Sequence, residues 1–152
     1  MKKFLLVCSL VLSSFISFAQ FVARAEIKEK IEGICDIKNV YSLLPMFKGQ
    51  EEAVCPVPDS ILEGKLNREV EFIKDKPKYT DKGMVSIIIN CKGEVVQCKI
   101  DNKTQSPELD EQIVNVFKTT LTSWKAGKLN GKEVDSMKLW SFEIKKGRIF
   151  VK

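Results

Sequence analysis

Between Gly83 and Ile100 the chain reads G-M-V-S-I-I-I-N-C-K-G-E-V-V-Q-C-K-I, and this stretch limits the fold more than any other. Val85, Ile87 and Ile89 recur with period two, which puts them on one face of a strand. The β-branched residues Val85, Ile87, Ile88 and Ile89 suit a pleated, buried surface. Lys92-Gly93 breaks the apolar run and Val95-Val96 resumes it, so the spacing predicts an antiparallel hairpin with Gly93 at positive φ in the turn. An isolated hairpin is marginal in water, so flanking helices are expected to cover its apolar face.

Two such helices are legible. Ser60 followed by Glu63 reads as a capping box, and Leu62, Leu66, Val70 and Ile73 form a stripe over Ser60–Lys74 before Pro77 stops the helix. Downstream, Ser106 is suited to the N-cap, Pro107 to the first helical position, and Glu108, Asp110 and Glu111 to the positive end of the dipole. Leu109, Ile113, Val116, Phe117 and Leu121 make the second apolar stripe, and Trp124 falls just past its end. Ala126–Ser136 reads as a polar connection. Trp140, Phe142 and Ile144 then alternate on a returning strand, with a short final strand expected at Ile149–Val151. The predicted fold is α+β: a small antiparallel sheet, made of the hairpin and the returning C-terminal strand, with two helices on one face. Upstream of this unit, Arg24–Glu32 reads as a short surface helix ended by Gly33, and Ile34–Pro58 as irregular chain broken by Pro45, Gly49, Pro56 and Pro58.

The start of the chain carries Met1-Lys2-Lys3, an uncharged apolar run Phe4–Ala19, and Ser17-Phe18-Ala19 before Gln20, the pattern of a secretory leader. This divides the chain into a leader at 1–19, an extension at 20–44 and an α+β domain at 45–152, exported to a periplasm or cell envelope. The competing reading is an uncleaved anchor over Phe4–Ala23, which would place the protein on a membrane. Loss of Lys2 and Lys3 lowers the net charge from +5 by two. Acidic and basic residues are interspersed, which excludes a nucleic-acid surface.

Cys8 would leave with the leader, and Cys35, Cys55, Cys91 and Cys98 remain, an even number in an exported chain. A turn at Lys92-Gly93 offsets Cys91 from Cys98, so each is expected to pair with the N-terminal pair Cys35 and Cys55; four reduced thiols are the alternative. Without histidine or a C-x-x-C pair, neither zinc nor any other metal or cofactor is indicated. The absence of histidine also removes Ser-His-Asp and Cys-His catalysis, and no phosphate-binding glycine loop is present, so the chain is read as a non-enzyme.

Several pieces, in order, resemble the C-terminal domain of TonB-type energy transducers. These are Pro45-Met46-Phe47-Lys48-Gly49, Lys78-Tyr79, the G-x-V-x-I-x-I-N-x-K-G-x-V hairpin, Ser106, Leu109 and Asp110, Trp124, and Gly131-Lys132-Glu133-Val134. The sequence departs from that pattern with Thr80 after Tyr79, Lys125 after Trp124, its four cysteines and the lack of a proline-rich spacer. The resemblance implies a protein partner, an extended segment of an outer-membrane receptor, added to an exposed sheet edge. The edge expected to receive it is the returning strand: Met137, Lys138, Leu139, Trp140, Ser141, Phe142, Glu143 and Ile144. Trp140 and Phe142 also read as core residues. Missing its spacer, the chain is read as a free-standing relative that captures its partner by strand addition. The alternatives are a shortened membrane-anchored transducer and a structural protein that forms homodimers at the same edge.

Overall fold

A computed structural model describes residues 21–27 and 29–152; the leader expected at 1–19 lies outside them. In chain order the elements are β1 (Ala23–Ala25), β2 (Val40–Ser42), β3 (Gln50–Glu51), helix α1 (Asp59–Glu69), β4 (Asp81–Ile89), β5 (Val95–Asn102), helix α2 (Pro107–Thr120), β6 (Gly127–Leu129), β7 (Lys132–Val134), β8 (Ser136–Lys145) and β9 (Arg148–Val151). The α+β class expected from the sequence is the one observed.

The hairpin β4–β5 forms as its alternation dictates, with Ile87 opposite Cys98 and Ile89 opposite Val95. Asn90 organises the connection: its Oδ1 accepts the Lys92 and Glu94 N–H groups, each at 2.9 Å, and its own N–H donates to the Glu94 carbonyl. Gly93 has φ +80°, and a Cβ there would sit 2.4 Å from the Trp124 carbonyl oxygen, so both backbone conformation and space require glycine.

On one face of the sheet lie α1, α2 and the main core. Leu62 and Leu66 of α1, Leu109, Ile113 and Phe117 of α2, and Phe142 and Ile144 of β8 are among its buried members. Each such large side chain stabilises the fold by roughly 1.5–3 kcal/mol. Ser106 caps α2 as expected, its Oγ accepting the Leu109 N–H. The first helix differs from its sequence reading. It begins at Asp59 with Pro58 in the cap position and no side-chain cap, and it breaks at Val70 (ψ 101°) before a single 3-10 turn over Glu71–Ile73. Leu62, Leu66, Val70 and Ile73 are nevertheless all buried, because the break leaves the stripe facing the sheet.

The opposite face of the sheet is also covered. Ile88 of β4 packs with Ile31 and Val40, with Ile27, Ile34, Val96 and Met137 around them. The covering chain is the 20–44 extension. Its expected surface helix at Arg24–Glu32 is not formed; Ala23–Ala25 instead pairs antiparallel with Val40–Ser42, the alternation of small, charged and small residues suiting a strand. Two-sided burial explains why β4 carries apolar residues on both faces, Ile87, Ile88 and Ile89 in succession, with Val85 through Ile89 all buried.

The main sheet has the order β1-β2-β8-β4-β5, with β9 also on β8, and it is antiparallel except for the β2–β8 contact. A second sheet, β3-β6-β7, joins the connection read as polar loop, which holds β6 and β7, to β3 in the stretch read as irregular chain. Asn130-Gly131 makes its tight turn with φ of 53° and 79°, the two consecutive left-handed residues of a type I′ hairpin.

Candidate functional site

The returning strand is not the sheet edge. β4 pairs with β8 from Asp81↔Ile144 to Ile89↔Ser136. On the other flank, β9 covers Phe142–Lys145 and β2 meets Ser136. Only a hollow of about 210 Å³ remains between these two, bordered by Met137–Leu139, Ser42–Leu44, Glu52 and Ala53. The Lys138–Glu52 ion pair at 3.4 Å spans it, and the Lys152 N–H occupies the Ser141 carbonyl. β9 and the Lys152 N–H therefore occupy the Ser141–Ile144 half of the rim expected to receive a partner, whereas among the described residues no strand is paired opposite Met137–Trp140 on that flank. Within β8, Trp140, Phe142 and Ile144 are buried core residues, Met137 packs on the opposite face, and Leu139 is exposed. Trp140 stands edge-on to both Trp124 and Phe117, with centroids 5.6 and 6.2 Å away.

β5 is one open rim of the main sheet, as β1 is at the other end. Among the described residues β5 pairs with β4 and with no other strand. Register shifts between Met84/Val85 and Ile88/Ile89 bracket an in-register stretch, Gln97–Ile100. Such irregularities on an edge discourage two copies from zipping together while leaving a short segment able to pair. Along this rim runs a groove whose other wall is α2. One part, about 590 Å³, lies between Gly93–Cys98 and Lys118, Leu121 and Thr122. The next, about 380 Å³, lies between Cys98–Ile100 and the helix from Asp110 to Lys118. Cys98 and Lys118 belong to both parts, so the two are continuous. Val95, Cys98 and Ile100 face the helix across the groove, against Val114 and Leu121.

Cys98 is 7% exposed and carries a free thiol. Burial pushes its pKa up to about 11, against the opposing pull of the Lys118 ammonium. It is therefore protonated at neutral pH and a poor nucleophile.

Of the two disulfides expected, one forms: Cys35–Cys91, joining the extension to the hairpin connection. Cys55 and Cys98 are free: Cys98 is buried in the main core beneath α2, and Cys55, next to the Val54–Lys125 bridge, packs half-buried against the same core. Asp135, 1% exposed, locks the disulfide in place. Its Oδ2 accepts the Cys35 and Asp36 N–H groups at 2.8 and 2.6 Å, and its Oδ1 accepts the Cys91 N–H at 2.8 Å. The sulfurs and a carboxylate oxygen lie within 4.8 Å of one another. With the sulfurs bonded to each other and both carboxylate oxygens engaged by N–H groups, this cluster reads as structural.

No family model, curated protein or solved structure matches the chain. Among the described residues, no helix is long and apolar enough to cross a membrane.

Proposed function

We propose that this protein is an envelope binding module that captures an extended segment of a protein partner by adding it to the sheet as a new strand. The observation that carries this reading is the unpaired rim of β5 beside the α2 groove. A strand edge supplies N–H and C=O groups for affinity, and an adjacent helix supplies side-chain selectivity. The resemblance of the hairpin and second helix to TonB-type C-terminal domains supports the same mode of binding, and makes an outer-membrane receptor segment the partner of first choice. The Cys35–Cys91 bridge supports an oxidising compartment, as an exported chain would meet.

The test is site-specific photocrosslinking in intact cells, with a photoreactive residue at Gln97 or Lys99 on β5 and at Lys132 on β7 as control. Adducts from the β5 positions, absent from the control, are the expected result. Equal labelling at all three positions, or adducts from Lys132 alone, would remove strand addition at β5.

A further inference from the structure

The groove has unmatched charges. Among the described residues Lys118 forms no ion pair and overhangs the neutral Cys98 thiol, and Glu111, two turns earlier on the same exposed face of α2, also has no cationic partner. The other charged groups facing this groove are engaged: Lys99 pairs with Glu29 at 3.1 Å, Asp110 accepts the Thr104 N–H, and Glu94 accepts from Asn90. Between the unmatched charges the walls are apolar, with Val114 facing Cys98 and Ile100.

Building on the strand-addition reading, the geometry points to an occupant of defined pattern: an extended segment with a basic, an apolar and an acidic side chain at alternating positions. The Glu111–Lys118 separation of seven residues is ~10 Å along a helix. Four steps of an extended chain cover ~13 Å, and side chains two apart share a face, so three consecutive groove-facing positions match the helix. The order follows from topology. α2 runs against β5, since Lys118–Thr122 borders the start of β5 and Asp110–Glu111 its later part. Antiparallel addition, the stronger pairing per residue, brings the segment's N-terminal end to Glu111 and its C-terminal end to Lys118. The segment therefore reads base-x-apolar-x-acid.

The experiment titrates the full chain with the hexapeptide Thr-Lys-Thr-Val-Thr-Asp and with its charge-reversed form, Thr-Asp-Thr-Val-Thr-Lys, reading affinity by calorimetry and β5 amide protection by hydrogen exchange. The first peptide is expected to bind at least ten-fold tighter. Lys118→Glu, an exposed change that leaves the core untouched, is expected to weaken it at least ten-fold, and a peptide with lysine in place of the aspartate to recover the loss. If both peptides protect the β5 amides equally and Lys118→Glu changes nothing, the charge pattern is wrong while strand addition stands. Tighter binding of the reversed peptide would likewise overturn the pattern. If neither peptide protects β5, strand addition itself fails.

Discussion

Asp135 ties together three parts of the chain that have no sequence relation to one another. It accepts from Cys91, 44 residues before it, and from Cys35, 100 residues before it. Replacing it with alanine would leave three backbone N–H groups beside the disulfide without an acceptor. Each hydrogen bond to a charged group contributes about 1.5–3 kcal/mol, so a loss of about 3 kcal/mol is the conservative expectation for Asp135→Ala. Urea unfolding would read it as a lower midpoint at unchanged slope. A loss under about 1 kcal/mol would mean that water replaces the carboxylate. This role was invisible in the sequence, where Asp135 closes an apparently polar linker, because a buried acceptor is recognised only by the donors that converge on it. Cys98 makes the complementary case. Its place on the helix-facing side of β5 follows from the strand pattern, yet its chemistry follows from α2 closing over it. The folded thiol's pKa of about 11 lies above the ordinary value of 9.0, so the folded protein keeps its proton longer than the unfolded chain. The resulting stability is complete below pH 9 and disappears as pH rises through 11. Cys98→Val should flatten that alkaline decline in a series of melting curves. Identical slopes for the two proteins would show that the thiol is not shielded.

At the scale of elements, periodic segments were legible and joints were not. The hairpin and α2 follow their patterns because apolar spacing, cap and turn residue agree on one answer. The first helix drifted by a residue at its start, since Pro58 is itself an acceptable residue ahead of a first turn, and the Ser60 hydroxyl is not required. The second sheet is not legible in the sequence although Asn130-Gly131 announces a tight hairpin. The strands on either side are three residues each, too short to show alternation. The extension is illegible for a related reason: β1 pairs with β2 and β2 with β8, and no local pattern records that pairing. Its attachment rests on the Cys35–Cys91 link, which spans 56 residues. Closing a loop of that length in the unfolded chain corresponds to about 4 kcal/mol in the chain-entropy treatment. The Cys35→Ser/Cys91→Ser double variant should lose stability of that order, read by urea unfolding under non-reducing conditions. Wild-type protein in excess reductant should match it. A variant as stable as the oxidised protein would show that the bridge is dispensable.

For the molecule as a whole, the sheet is covered on both sides by very different means. The helix side holds a large core in which α1, α2, β4, β8 and β9 all take part, with Phe117, Phe142, Ile144 and Ile149 fully buried. The other side has Ile31, Val40 and Ile88 as its buried residues, under an extension joined to the rest by the disulfide, the Asp135 hydrogen bonds and the Asn90 side chain donating to the Gly33 carbonyl. A cover with so few buried apolar groups opens at lower free energy than the body it covers. Reduction removes the one covalent link and should separate the two levels. In the reduced protein, hydrogen exchange is expected to accelerate first at the amides of β1 and β2, while those of β4 and β8 keep the protection of global unfolding. The expectation is specific because β8 is held along its length by β4 and β9 whether or not the extension is in place. Equal acceleration of β2 and β4 amides would show that the two faces form one cooperative unit, and that the extension is integral to the domain rather than a cover laid over a finished sheet.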